Sequence, residues 1–406
     1  MSGIKEINIT EALENKIDRS NWVKWKFSDL VENIVEKVTP KDSGLDHYIG
    51  LEHLDSGSLK IRRFGETASL IGDKLKIYKG DLIFAKRNSY LKRVAIADFD
   101  AVASAHSMVL RPKPENVNPD FLPFFMMSEV FWKRAIEISV GSLSPTINWK
   151  VIAKQEFFLP PKDQQAELAE LLWALDEVIE NTDSIKHRLN LTKRGILKDL
   201  FNLNWSSKTP FLNSLSYNKF ELKKFSEICS ESMFGPRFSS KQYDENGSIA
   251  CLRTTDMDLE GNINLETMPR ATLPKGKFRE HYLKVNDILI SRSGTCGLTG
   301  VFKGFEIPVL PAAFIIRFRM KEDINSDYIR IFFNSEYGKT ITSGLASGAV
   351  QKNLTSKALL NVRIPIPEKS IQDSIIDMLN NLGLENCKSK IDSSKSLQKS
   401  LINQIF

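Results

Sequence analysis

The stretch PVLPAAFIIRFRMKEDINSDYIRIFFNSEY, which begins at Pro308, has a counterpart in the first half of the chain, HSMVLRPKPENVNPDFLPFFMMSEV from His106. Laying Asn118 on Asn325 brings Asp120 onto Asp327, Phe121 onto Tyr328, Phe125 onto Phe332 and Ser128-Glu129 onto Ser335-Glu336, an offset of 207 in a chain of 406 residues. A repeat of that length constrains the fold more than any motif, because whatever forms once must form twice.

The correspondence continues in the same order on both sides. YKGDLIFAKRNSYLKRVAIA from Tyr78 matches KVNDILISRSGTCGLTGVF from Lys284, through Asp81 and Asp287. FFLPPKDQQAELAELLWAL from Phe157 matches IPIPEKSIQDSIIDMLNNL from Ile364, with Pro160 on Pro367, Lys162 on Lys369 and Gln165 on Gln372. The entries agree as well, VKWKFSDL from Val23 and ELKKFSEI from Glu221. Short β-prone runs (DLIFAKR, SMVLRP, DILISR, FIIRFRM) punctuated by Gly, Pro, Asn and Asp predict an α+β domain in each copy. One amphipathic helix is expected to start near Asn118 and Asn325, its aromatic residues serving as core.

The closing portions read differently. From Lys162 to Phe201 there is no proline, and Leu168, Leu171, Leu175, Val178, Thr182, Ile185, Leu189, Thr192 and Ile196 alternate by three and four, a heptad seam. The second copy gives Ile371, Ile375, Met378 and Leu382, loses phase near Gly383, and resumes at Ile391, Leu401 and Ile405. An α-helix rises about 1.5 Å per residue, so an unbroken first tail would be ~60 Å long. The expected organisation is an N-terminal helical segment (1–21), a domain (22–161), a helix (162–205), a linker (206–218), a second domain (219–367) and a second helix (368–406). The two long helices are expected to pair as an antiparallel coiled coil; packing of each on its own domain is the alternative.

The chain is 42% hydrophobic and 26% charged, with a formal charge of +6, compatible with a polyanionic partner but not diagnostic of one. No apolar run is long enough to cross a bilayer, and the N-terminus has no signal-peptide core, which predicts a cytoplasmic protein without membrane contact. Cys229, Cys251, Cys296 and Cys387 show no metal-ligand spacing and are expected as buried reduced thiols. There is no phosphate loop, dinucleotide turn, nucleophile elbow or paired-histidine metal motif, and the five histidines are scattered. No catalytic, cofactor or metal site is therefore predicted.

The copies differ most at two places. AKRNSYLKR (85–93) stands where the second copy has SRSGTCGLTG (291–300), and YIGLEHLDSG from Tyr48 stands where it has IACLRTTDMDLEG from Ile249. Arginine and asparagine can make paired hydrogen bonds to guanine and adenine, while Lys, Ser and Thr fix register on phosphates. The candidate DNA contacts are Lys86, Arg87, Asn88, Tyr90 and Arg93 in the first copy, and Arg253, Thr254, Arg292, Ser293 and Thr295 in the second. Ser144, Thr146 and Asn148, with Gln351 and Lys352 opposite them, extend these surfaces. Solvated loops are the competing reading for each residue alone.

The ordered duplication, NDILISRSGTCGLTGVF, SGAVQKNLTSKALLNVRIPIP and the Pro-x4-Gln entries PPKDQQ and PEKSIQ together resemble the DNA-specificity subunit of Type I restriction-modification enzymes, over about Trp22 to Phe406. The resemblance implies two target-recognition domains reading the halves of a split, asymmetric duplex DNA sequence, and helices that set their spacing. It also implies a non-catalytic chain that docks two adenine-methyltransferase subunits using S-adenosylmethionine, and two restriction subunits using ATP and Mg. A bivalent coiled-coil scaffold that binds proteins, or the same subunit in a methylation-only system, are the alternatives.

Overall fold

A computed structural model describes residues 19–68, 70–201, 220–274, 276–346 and 353–406. Gln351 and Lys352, the linker 206–218 and most of the expected N-terminal segment lie outside the described residues. The chain forms two compact units: residues up to Ser184 together with Cys387–Phe406, and Ile185–Asn386. Among the described residues no helix is long and apolar enough to cross a membrane.

In the first unit a four-stranded antiparallel sheet runs in the order Val31–Ile34, Ser107–Pro112, Leu82–Ala85, Val94–Ile96. The second unit repeats it as Cys229–Phe234, Ile315–Met320, Ile288–Ser291, Thr299–Val301. Leu82–Ala85 and Ile288–Ser291 are buried throughout, which is why they read as continuous rather than alternating apolar runs. A second, mixed sheet flanks each, with Tyr48 opposite Val102 in parallel register in the first unit and Cys251 opposite Leu310 in the second. Each domain is closed by an antiparallel clasp of its first and last strands, Val23–Lys26 on Glu156–Leu159 and Glu221–Lys224 on Arg363–Ile366.

The residues that align the two copies are those with polar obligations. Asp81 and Asp287 are each 1% exposed. Asp81 accepts from the Tyr78 amide at 2.9 Å and from Nε and Nη2 of Arg111 at 2.8 and 3.0 Å. Asp287 does the same with the Lys284 amide at 2.7 Å and Arg319 at 2.8 and 2.9 Å. A buried carboxylate is tolerated only when its lone pairs are met in this way. The glutamines fasten the tails: Gln165 accepts from the Asn118 amide at 2.7 Å and donates to the Pro160 carbonyl at 2.8 Å, while Gln372 makes the matching bonds to Asn325 and Pro367 at 2.8 and 2.9 Å.

The single amphipathic helix expected after Asn118 or Asn325 is two helices in each unit, Leu122–Met127 and Glu129–Glu137, then Ser326–Asn334 and Glu336–Leu345. The break is the matched serine. Ser128 and Ser335 have extended backbones, and their hydroxyls cap the next helix by accepting from Phe131 and Gly338. Asn325 caps its helix as expected; in the first unit the helix starts later, after Phe121. The aromatic residues do form core, with Phe121, Phe124, Phe125, Tyr328 and Phe332 at most 1% exposed. Of the cysteines only Cys251 is buried, and burial pushes its thiol up to about 11; the other three are partly exposed.

The first tail is one unbroken helix, Lys162–Phe201. The second is Lys369–Asn380 followed by Leu384–Ile405, interrupted where Gly383 takes a left-handed φ of 76°. The seam of the first tail needs correction. Leu171, Val178 and Ile185 are exposed, and Leu175 and Leu189 half-buried, whereas Gln165, Leu168, Leu172, Asp176, Ile179 and Thr182 are buried. The buried face is rotated because polar side chains that apolar spacing cannot detect belong to it: Asp176 accepts from Gln398 Nε2 at 3.2 Å. Ile196 is buried in the second unit's core, as are Ile375, with Met378 and Leu382 packed against it. In the first unit Leu401, Ile402 and Ile405 share the core with Leu168 and Leu172, and Ile391 is also buried. Each such apolar side chain contributes about 1.5–3 kcal/mol on full burial, so the C-terminal turns are integral to that unit.

Candidate nucleic-acid interface

In the first unit the chain leaves the strand Leu82–Ala85 and makes a tight excursion, with Asn88 and Lys92 at φ 55° and 47° around the turn Ser89–Leu91. The segment 140–147 folds onto it. Arg87 bridges Thr146, the Ile147 amide donates to the Lys86 carbonyl at 2.8 Å and the Ser89 amide to the Pro145 carbonyl at 3.3 Å. Lys86, Arg87, Asn88, Tyr90, Ser144 and Thr146 are thus gathered on one surface, with Tyr90 56% exposed and Arg87 open to solvent.

Two candidates there are committed to the fold. Arg93 Nη1 donates to the Leu51 carbonyl at 2.6 Å, holding the loop after Tyr48, and Asn148 caps the turn Trp149–Ile152 through the Lys150 amide at 2.9 Å. His106, absent from the candidate set, lies at the surface's edge with Nε2 3.5 Å from Arg87 Nη1. Its pKa is held below the usual histidine value by burial, then by the charges of Arg87, Lys86 and Lys74. Burial likewise lowers the Lys86 ammonium. Asn88 Oδ1, Ser89 Oγ and Ser107 Oγ are buried without a protein partner. This is a positive, incompletely satisfied surface suited to a polyanion that brings acceptors and donors of its own.

In the second unit the corresponding loop, 292–298, turns through Gly294 and Gly297, both at positive φ. At Gly297 a β-carbon would lie 2.5 Å from Thr342 Oγ1, so glycine is required. Ser293 bridges Asn353, and the Leu354 amide donates to the Arg292 carbonyl at 2.8 Å, the counterparts of the Arg87–Thr146 and Ile147–Lys86 contacts. Thr254, Ser293 and Thr295, with Thr255 and Gly294, line a cleft of about 640 Å³, so the two divergent segments of this copy face each other.

Arg253, which precedes Thr254, is not at liberty. Its guanidinium binds Asp256 through Nε at 3.2 Å and Nη2 at 2.8 Å and also the Thr267 carbonyl at 2.8 Å, and the hydrogen bond to Asp256 raises its pKa. The R-T-T-D spacing carried that signal. Arg292 sits with its guanidinium carbon 4.7 Å from the centre of the Phe234 ring and donates from Nε to Asn353 Oδ1 at 3.1 Å. Neither Phe234 nor Asn353 is detectable as a site residue from sequence, since each reaches Arg292 only through the folded sheet.

The family model for the Type I restriction modification DNA specificity domain matches this chain twice, over residues 20–191 and 216–393. The MjaVIII Type I restriction enzyme specificity subunit of Methanocaldococcus jannaschii is 22% identical over 426 aligned residues, covering 100% of this chain and 96% of that protein. The EcoDI specificity subunit of Escherichia coli is 27% identical over 210 residues, 48% of this chain and 46% of that one. Among solved structures, the S subunit of a Type-I restriction-modification system from M. genitalium superposes with a TM-score of 0.57 at 17% identity, covering 97% of this chain and 98% of that chain. A chain of another type I R-M system gives 0.55 at 18% identity, with 94% and 97% covered.

Proposed function

Since the chain belongs to the family of Type I restriction-modification DNA specificity subunits, we propose that each unit reads one half of a bipartite, asymmetric duplex sequence. The observation that carries this reading is the pair of loop surfaces at equivalent places in the two repeats, 86–93 with 144–147 and 292–298 with 353–354, which share a backbone arrangement and differ in side chains. A shared scaffold with unlike side chains gives two half-sites of different sequence. DNA recognition is the work of this family, and the chain itself performs no chemistry in this reading.

The long helices act as a spacer, paired as an antiparallel coiled coil, that fixes the gap between half-sites. The exposed Leu171, Val178 and Ile185, seven residues apart, form a stripe for two adenine-methyltransferase subunits, which bring S-adenosylmethionine. Two restriction subunits bring ATP and Mg. The test is selection from random duplexes by this chain with its methyltransferase partner. Two short fixed motifs with a constant gap are expected, and an added helical turn between Lys162 and Phe201 should lengthen the gap. A featureless pool, or an unchanged gap, removes the reading.

A further inference from the structure

We infer that Arg292 is a guanine reader held ready by two positioning residues, Phe234 and Asn353, and that this trio makes the most base-selective contact of the second unit. The inference rests on the DNA-recognition reading above. An exposed arginine in water samples many rotamers, and fixing one opposes binding. Here the guanidinium lies on the Phe234 ring at 4.7 Å, inside the range of about 6 Å over which a ring face attracts a cation. Its Nε is already bound to Asn353 Oδ1 at 3.1 Å. The hydrogen bonds described for its side chain use only Nε, which leaves the two terminal nitrogens to present their parallel N–H groups end-on. That fork matches the O6 and N7 acceptors of guanine in the major groove.

The platform is itself anchored. The Phe234 carbonyl accepts from His281 Nδ1 at 2.9 Å, and Gly235 runs so close to the next strand that a β-carbon would sit 2.1 Å from the Ala312 carbonyl oxygen. Asn353 is fixed by its bridge to Ser293. Among the described residues the first unit has no such device. Ala85 pairs with Ser107 where Ser291 pairs with Ile315, so Lys86 stands in place of Arg292 and His106 in place of Phe314. The neighbouring strand puts Val35 at the position of Phe234, and the loop bridge puts Thr146 at that of Asn353. Lysine offers a point charge rather than a fork, and valine no ring.

The experiment uses the full chain purified with its methyltransferase partner. Affinity is measured for the selected site and for each single base-pair replacement of it, at several salt concentrations. One G·C pair in one half-site should be preferred by about 5–150-fold, the range a paired arginine contact supplies. R292K keeps the charge and should reduce that preference to a few-fold. N353A and F234A should lose part of it, F234Y should keep it, and all three should retain the wild-type salt dependence because no phosphate contact is removed. An R292K protein with unchanged preference, or N353A and F234A proteins that lose affinity for every sequence alike, would overturn the inference while leaving recognition intact. A wild-type chain that selects no sequence at all would remove the reading beneath it.

Discussion

The two candidate surfaces share a pair of backbone contacts and carry different side chains. In the second unit Arg292 is held by a ring and an amide, Arg253 is spent on Asp256, and the cleft is lined by threonine, serine and glycine together with Asp258 and Glu260. In the first, burial and then the charges of Arg87, Lys86 and Lys74 lower the pKa of His106, and buried polar atoms lack partners. A fixed fork favours one base edge, whereas clustered cations favour phosphate of any sequence. On the proposed reading, the duplication preserved the frame and divided the labour between selectivity and grip.

The scaffolds beneath the loops also differ, and the largest effect is expected there. Arg317 is 1% exposed, and Glu231 links it to Arg319, while the first unit has Val109 at that strand position. E231A should cost about 3 kcal/mol because it leaves the buried Arg317 charge without a carboxylate, held by the Glu280 and Tyr282 carbonyls. E32A, on the same strand pairing, should cost under about 1 kcal/mol, since among the described residues Glu32 makes no ion pair and Arg111 keeps Asp81 and is 43% exposed. Denaturant titration of both variants checks this; equal losses would show that the network does not distinguish the units. Where the scaffolds agree the effects should agree: Q165A and Q372A each leave a part-buried amide unmet and should cost about 1–3 kcal/mol. A loss at only one of them, by the same titration, would mean that the tails are not fastened alike.

That agreement explains what could be read from the sequence. Asp81, Gln165, Ser128 and their partners in the second copy serve several hydrogen bonds apiece, so exchange for a similar residue breaks something, and the repeat stays legible at those positions. The first tail was legible as a helix because a proline-free stretch of that length has few alternatives. Its buried face was not, because Gln165 and Asp176 lie inside it and Leu171 and Val178 outside, which inverts the rule used to find it. At the loops, composition located the surfaces but could not rank their residues. Arg253 and Arg292 look alike as letters; one meets a carboxylate three positions on, the other an amide that follows it by 61 positions.

Removing a charge sharpens the contrast between grip and selectivity. K86A should weaken binding to all duplexes by a similar factor and reduce the slope of log affinity against log salt by about 1, with base preferences intact. R292K should do the reverse. Binding measured over a salt series on matched and mismatched duplexes separates the two; a base-specific loss in K86A would make the surfaces equivalent in kind.

The smallest effect expected is on pH, and it belongs to the first unit alone because Phe314 stands where that unit has His106. In the free chain burial and three neighbouring cations hold His106 below the ordinary value of 6.5, so the unfolded chain binds more protons there and folding stability from this group rises with pH through that range. Phosphates brought close by DNA favour the imidazolium and raise its pKa again. The complex then holds more proton than the free chain between the two values, so affinity should rise as pH falls towards 6.5 and below. H106F, which installs the second unit's residue, should flatten that slope while base preference in the second half-site stays fixed. Anisotropy titrations across this range decide it: a slope unchanged in H106F would mean that His106 does not face the phosphates, and the positive cluster would have to be read as structural.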